Sequence, residues 1–337
     1  MKTDFLKKKY LVCGAGGFIG GHLVKSLIDD GHELICVDIK PLDHWFQIFE
    51  NNKNFSLDLR EYENCLEVTK DVDFIYNMAC NMGGMGFIEN NKAECMLSVL
   101  INTNLLRASL VNKVKKYFFS SSACVYNADK QTNNFIEGLK ETDAYPAMPE
   151  DGYGWEKLFS ERMCRHFYED YGLETRVARY HNVYGPMGTF DGGREKAPAA
   201  LCRKIIIAKN SEEKKIDVWG DGEQTRSFMF IEDCIKGTKK IFESNCREVL
   251  NIGSEEQVSI NQMIKIIEEI SGCKVEKNYQ MNKPKGVRGR SSNNDLVRAK
   301  LGWNSEISLK SGLGLTYKWI AKEMAKKLNN NKFTLKY

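Results

Sequence analysis

The 337-residue chain is 42% hydrophobic and 28% charged, ample for a sizeable core built either as one large α/β unit or as two smaller lobes. Its net charge of +4 is spread over the whole length. The one dense basic run, Lys7-Lys8-Lys9, is too short for a nucleic-acid arm, so no nucleic acid is expected as a partner and small anionic ligands are.

In chain order, Lys9 to Cys13 reads as a short buried strand, Phe18 to Asp30 as an apolar-periodic helix and Glu33 to Asp38 as the next strand, a βαβ start. Strand signals recur at Phe74–Asn77, Lys116–Phe119 and Glu174–Arg179, with helical stretches between them. Strands alternating with helices predict a parallel, doubly wound Rossmann sheet, an α/β fold. After Tyr184-Gly185-Pro186 the texture changes to a glycine-rich polar loop, Met187 to Glu195, where a second lobe begins. Val249 to Gly253 again has the character of a sheet strand, so the smaller C-terminal lobe is discontinuous. The expected division is residues 1–185 plus about 230–255 for the Rossmann domain, and 186–229 with 256–337 for the second lobe. The asparagines at 329–331 and the tail beyond them read as a frayed terminus.

Eleven cysteines, an odd number at irregular spacing, argue against a disulfide framework and for a reducing, cytoplasmic setting. No apolar stretch reaches the ~18 residues of a membrane span, and the N-terminus lacks a leader-like apolar region. A soluble protein with no membrane partner is expected. His22, His32, His44, His166 and His181 are scattered among different elements, and no Cys or His pair has zinc spacing, so no metal site is expected.

Gly14, Gly17 and Gly20 directly follow the first predicted strand and open a helix. Backbone N–H groups through this turn, Phe18 and Ile19 included, are free to approach a pyrophosphate at the positive end of the helix dipole. Asp38, at the end of the following strand, accepts hydrogen bonds from both adenosine ribose hydroxyls and repels a 2′-phosphate, so NAD is expected over NADP. Lys40 pulls the other way, since a cation there can meet a phosphate. Asp58 and Leu59, after the next short strand, are placed for the adenine edge; a plain loop carboxylate is the competing reading.

Tyr153 and Lys157 stand four apart, on one face of a predicted helix. The lysine charge is expected to lower the phenol pKa from about 10, so that a phenolate takes a hydroxyl proton while hydride leaves for a nicotinamide. Ser122 supplies a third polar contact. Cys124 is the unusual residue: hydride transfer alone has no need for a thiol two residues past the serine, and a thiol there suggests proton chemistry at carbon. Taken singly, such a cysteine is more often a buried hydrophobe.

Through Gly14–Gly20, Asp38, Ser122, Tyr153 and Lys157 the chain resembles the extended short-chain dehydrogenase/reductases. The resemblance narrows through Met82-Gly83-Gly84-Met85-Gly86, Ser121-Ser122-Ala123-Cys124, Arg179 to Pro186, Gly193-Arg194-Glu195-Lys196-Ala197-Pro198-Ala199, Trp219 to Phe228 and Gly286-Val287-Arg288-Gly289-Arg290. Together these are similar to the GDP-mannose 3,5-epimerase family, in order from about residue 9 to 325. That resemblance implies an NAD-dependent enzyme that oxidises C4 of the hexose, acidifying the hydrogens at C3 and C5, exchanges those protons, and reduces C4 again with the cofactor still bound. It assigns Cys124 and Lys196 as the proton-transfer pair, each favouring the other's charged form. It carries substrate contacts to Gly83, Ser122, Cys124, Asn182, Glu195, Lys196, Ala197, Lys204, Gln224, Thr225, Arg226, Arg288 and Tyr317. Arg226 and Arg288 are expected to clamp the diphosphate through planar, paired hydrogen bonds, with structural salt bridges as the alternative. A homodimer is implied, with helices around Glu94–Val111 and Glu156–Tyr171 pairing across a two-fold axis.

Ile39-Lys40-Pro41, Ala128–Leu139 and Trp155 depart from the family's pattern. They leave the catalytic set intact and bear on which sugar is accepted. The rival readings are a GDP-sugar (GDP-heptose or other hexose) C4 oxidoreductase or 4-epimerase that leaves Cys124 idle, and a dinucleotide-sensing regulator that has lost turnover.

Overall fold

Leu11–Cys13 and Leu34–Val37 are apolar without alternation and buried at every position, as central strands covered on both faces require. In the computed structural model residues 8–284 and 286–329 are described; the tail beyond Asn329 and the start of the basic run at Lys7 lie outside them. Seven strands form one sheet: β1 (Lys9–Cys13), β2 (Glu33–Asp38), β3 (Lys53–Ser56), β4 (Phe74–Asn77), β5 (Lys116–Ser122), β6 (Glu174–Tyr180) and β7 (Leu250–Ile252). Their order is β7-β6-β5-β4-β1-β2-β3, and every neighbouring pair is parallel. The fold is the expected doubly wound α/β arrangement, and the strand order reverses between β1 and β4, where such sheets open a crevice at their carboxyl ends.

Side chains alternate across the sheet. Val12, Cys36, Tyr76 and Phe118 face one apolar layer, while Leu11, Ile35, Ile75, Tyr117 and Phe119 face the other. The register aligns Cys13 with Val37 and with Asn77, and Ser122 with Tyr180, so the strand ends that carry the site share one rim. β5 runs three residues past the expected Phe119, which places Ser122 on the strand itself.

Beyond Tyr184 the strands become short. Thr225–Ser227 lies between Gln257–Ser259, antiparallel, and Gly289–Arg290, parallel; Lys215–Trp219 pairs with Glu276–Gln280. Helices Ala197–Lys209, Ile260–Ser271 and Leu309–Asn329 pack on one another beside them. The Ile260–Ser271 helix starts at a reciprocal cap, with Gln262 N–H donating to Ser259 Oγ and Ser259 N–H to Gln262 Oε1, and ends at Gly272 with φ +66°. Between these pieces the helix Ile231–Glu243 returns to the main sheet, against the helix that follows β1.

Candidate active site

The turn after β1 is held by its glycines. Gly14 has φ +78°, and a Cβ there would lie 2.8 Å from the Met78 carbonyl carbon. Its N–H and that of Ala15 both donate to the Val37 carbonyl, tying the turn to β2. Gly17 is the N-cap of helix α1 (Phe18–Asp29) and offers no side chain to the first turn, so the N–H groups there are left for a ligand. Asp38 is buried at the end of β2, where its carboxylate accepts the Lys40 N–H at 3.0 Å. Lys40 Nζ donates to the Gly16 carbonyl at 3.1 Å, and the Trp45 ring lies against Gly16. A negative group at the ribose position, an uncapped helix start and glycine-limited spacing fit NAD. Leu59 is buried, and the Asp58 carboxylate is gripped by Arg60 through Nε and Nη2, at 3.0 and 2.7 Å to Oδ2, which holds its pKa below the usual range.

The helix Asp151–Tyr171 brings Tyr153 and Lys157 under the rim of β5. Both are buried, and Lys157 Nζ lies over the Phe119 and Tyr153 rings, 4.6 and 5.7 Å from their centroids. Tyr153 hydrogen-bonds Ser122, whose Oγ also accepts the Cys124 N–H at 3.2 Å. The expected depression of the phenol pKa is absent. Burial raises it well above 10, with Cys80, Cys124 and Glu156 adding negative neighbours, while Lys157 is drawn to Glu156, 3.6 Å away, and to Cys80. Burial opposes the Lys157 charge, but Cys80 and Glu156 outweigh it and raise the lysine pKa.

Cys124 follows β5 in a single 3-10 turn and is 9% exposed. Lys196 lies beside it as the N-cap residue of Ala197–Lys209. The loop carrying it is clasped by the Met82–Gly86 segment: Gly84 N–H donates to the Arg194 carbonyl at 3.1 Å, and a Cβ on Gly84 would meet the Glu195 carbonyl at 2.6 Å. Arg194 stacks on Phe87, 3.9 Å to the centroid. Cys124 and Cys80 are the nearest charge partners of Lys196. The pair does not charge itself as expected. Burial pushes the Cys124 thiol up, and the Glu150 carboxylate adds to this against Arg290; burial also lowers the Lys196 pKa, with Arg290 adding to that shift. Both groups are held toward their neutral forms.

The remaining contacts divide. Arg226 is packed inward beside Arg290, and burial followed by that neighbour lowers its pKa to about 10. Gln224 donates to the Trp219 carbonyl at 2.9 Å and leaves a buried Oε1 without a hydrogen bond. Asn182 has φ +35° and donates to the Ser227 carbonyl. Glu195 pairs with Arg203 at 2.9 Å, and Lys204 donates to the Asp217 carbonyl at 2.6 Å. Gly83 abuts Phe87, and Ala197 opens its helix. Thr225 is wholly buried, with its hydroxyl against Asn134 and Gln257. Arg288 is engaged by Asp221 through two bonds of 2.9 and 2.8 Å, and Tyr317 packs against the larger core cluster near Cys202 and Cys273.

Two residues at the centre escaped the sequence reasoning. Arg290 is 4% exposed and donates to Cys124 Sγ at 3.6 Å, to Glu150 Oε2 at 2.7 Å and to Gln131 Oε1 at 2.6 Å. Cys80 lies between Tyr153, Lys157 and Lys196. Arg288 and Arg290 are two apart in one motif, and only the pairing of Arg290 with Arg226 across the short strands shows which of them reaches the thiol.

A dinucleotide turn on a doubly wound parallel sheet and a buried Ser-Tyr-Lys group define an NAD-linked oxidoreductase fold. The profile of the NAD dependent epimerase/dehydratase family matches residues 10–253, and the chain belongs to that family, with NAD as its cofactor. Within it, the chain is 45% identical over 321 residues to GDP-mannose 3,5-epimerase 1 of Oryza sativa subsp. indica, covering 95% of this chain and 83% of that one. It is 44% identical over 319 residues to GDP-mannose 3,5-epimerase of Arabidopsis thaliana, covering 94% and 83%. Among solved structures, the UDP-glucose 4-epimerase of Thermotoga maritima with UDP-glucose superposes with a TM-score of 0.84 at 26% identity, covering 94% of this chain and 99% of that one. The UDP-glucuronic acid 4-epimerase of Bacillus cereus, solved with UDP-glucuronic acid and NAD, gives 0.79 at 26%, with the same coverage.

Proposed function

We propose that the chain converts GDP-D-mannose to GDP-L-galactose, and to GDP-L-gulose, by exchanging protons at C5 and C3 of a transient 4-ketone. The observation that supports this reading is that Cys124 packs beside Tyr153 and is the strongest charge neighbour of Lys196. A 4-epimerase needs only the tyrosine and lysine; a thiol and an amine facing one another serve removal and return of a proton at carbon.

NAD, held by the turn after β1 and by Asp38, would supply the acceptor for the C4 hydride and the donor that restores it. Tyr153, hydrogen-bonded to Ser122 and backed by Lys157, releases its own phenolic proton to solvent, takes the C4 hydroxyl proton as the phenolate, and gives it back at the end. The ketone makes C3 and C5 acidic, and Lys196 and Cys124 handle those protons. Arg226, beside Arg290, suits the diphosphate, while Gln224 offers an unpartnered buried oxygen to a donor on the ligand. Asp38 receives the adenosine ribose hydroxyls, and Asp58 with Leu59 borders the adenine.

The division into a Rossmann domain, residues 1–185 plus about 230–255, and a sugar-nucleotide lobe, 186–229 and 256–337, belongs to the same reading. So does a homodimer: Met96, Leu97, Leu100, Trp155 and Phe159, on the two helical stretches expected to pair, are 40 to 55% exposed. A cytoplasmic setting is supported by the eleven cysteines, all of which are free thiols, and among the described residues no helix is long and apolar enough to cross a membrane.

The test is NMR of the purified protein with GDP-mannose. GDP-L-galactose or GDP-L-gulose is expected to form. A product altered only at C4 assigns the chain to the 4-epimerases instead, and unchanged GDP-mannose with turnover of another GDP-hexose or a GDP-heptose moves the substrate assignment there.

A further inference from the structure

Lys196 follows a loop that turns at Gly192 and Gly193, with φ +92° and +86°, and nothing lies within 4 Å of a Cβ at either position. Such a turn takes its shape from glycine and gains no restraint from packing there. The place of Lys196 is therefore set by the two residues between the turn and the lysine, Arg194 and Glu195.

These two tie the loop in different directions. Glu195 binds it to its own side: Oε2 accepts the Gly193 N–H at 2.7 Å, and Oε1 accepts from Arg203 at 2.9 Å, on the helix that Lys196 caps. Arg194, exposed on the surface, reaches across to the segment that follows β4. Its Nη1 donates to Asn81 Oδ1 at 3.0 Å, its guanidinium stacks on the Phe87 ring, and its carbonyl accepts the Gly84 N–H. That segment is itself fixed. The Asn81 N–H donates to Ser98 Oγ at 2.9 Å, Asn91 Nδ2 donates to the Phe87 carbonyl at 2.8 Å, and a Cβ on Gly83 would lie 2.7 Å from Phe87 Cβ. Cys80, Met82 and Phe87 also pack against the apolar cluster of Ile88, Cys95, Cys124 and Tyr153. The far end of the tie is thus the same cluster that holds the thiol and the phenol.

We propose that Arg194 is a positioning residue, which through Phe87 and Asn81 fixes the loop carrying Lys196 relative to Cys124 and Tyr153. The inference rests on the epimerase reading above. Oxidation at C4 uses Tyr153, Ser122 and Lys157, none of which lies on this loop, so loosening the tie bears on proton exchange at C3 and C5 and spares the hydride step. A reacting group displaced by about 1 Å can lose about 10²-fold in rate. Lysine at 194 would keep the charge and lose both the planar fork and the stack on the ring.

The test has two readouts, the first independent of the sugar. Backbone hydrogen–deuterium exchange of the NAD-loaded enzyme is followed by mass spectrometry on peptides spanning residues 187–196, for wild type, Arg194→Ala, Arg194→Lys and Phe87→Leu. Arg194→Ala and Phe87→Leu should each speed exchange in this loop about tenfold and leave the strands of the main sheet unchanged, with Arg194→Lys in between. Equal protection in wild type and Arg194→Ala overturns the proposal, whichever sugar the enzyme takes. In the second readout, with GDP-mannose in D2O, Arg194→Ala should take up deuterium at C5 about 10- to 100-fold more slowly than wild type, while reduced nicotinamide forms at the wild-type rate. Wild-type uptake at C5 overturns the positioning role. An equal fall in both steps does so too, because general damage to the fold lowers both. A wild type that leaves GDP-mannose unlabelled and unchanged defeats the functional reading, and the loop's exchange still decides whether Arg194 holds it.

Discussion

Replacing Gly14 by alanine tests whether the first turn is built as described. Two costs add at this position. An L-residue at φ +78° costs about 1–2 kcal/mol, and the new methyl would sit 2.8 to 2.9 Å from backbone atoms of Met78 and Ala79, which follow directly on β4 and cannot swing away as a side chain does. Overpacking of that kind costs about 1–3 kcal/mol, so a total of roughly 2–5 kcal/mol is expected. Gly31 is the control, because it has φ +84° and nothing within 4 Å of a Cβ, so Gly31→Ala carries only the conformational part. Urea unfolding followed by tryptophan fluorescence measures both, and NAD released from the denatured protein measures cofactor retention. The Gly14 variant should lose clearly more stability than the Gly31 variant and be purified with little NAD, because its N–H and that of Ala15 anchor the turn to Val37. If the two variants are equally mild and Gly14→Ala retains full NAD, the reasoning about close backbone approach is wrong.

Tyr153→Phe removes the hydroxyl bonded to Ser122, and turnover should fall about 10²- to 10⁴-fold, with no absorbance of reduced nicotinamide on adding substrate. Glu161→Gln should destabilise by about 3–5 kcal/mol in urea, because it strands the Arg179 guanidinium, 3% exposed and bonded to Glu161 at 2.9 and 2.7 Å. The pH profile of epimerisation should be bell-shaped. One of Cys124 and Lys196 must be protonated and the other not, so activity rises as pH passes the lower of their two pKa values and falls as it passes the higher, burial having lowered that of Lys196 and raised that of Cys124; a profile with no falling limb at alkaline pH contradicts the assignment.

The Rossmann sheet was legible because its strands are buried on both faces and punctuated by glycine turns, signals that are local in sequence. Tyr153, Lys157 and Ser122 were legible for the same reason: four residues on one helix, and one strand end. Protonation states were not. A lysine four residues from a tyrosine suggests a lowered phenol pKa, but Lys157 is drawn to Glu156 and Cys80, and burial governs the phenol. Arg290 was hidden by its proximity to Arg288, because strands of two and three residues carry no periodicity from which to read a facing. Glu150 drew no reading from the sequence, because its inward turn depends on an arginine 140 residues away.

The most direct test of the Cys124/Lys196 assignment is solvent deuterium exchange into bound GDP-mannose, followed by NMR at C5 for the wild type, Cys124→Ala and Lys196→Ala. The account predicts exchange in the wild type, loss of epimer in both variants, and a 4-keto intermediate with reduced nicotinamide still forming in each, because the Tyr153 site is intact. Full epimerisation with either side chain removed would contradict it.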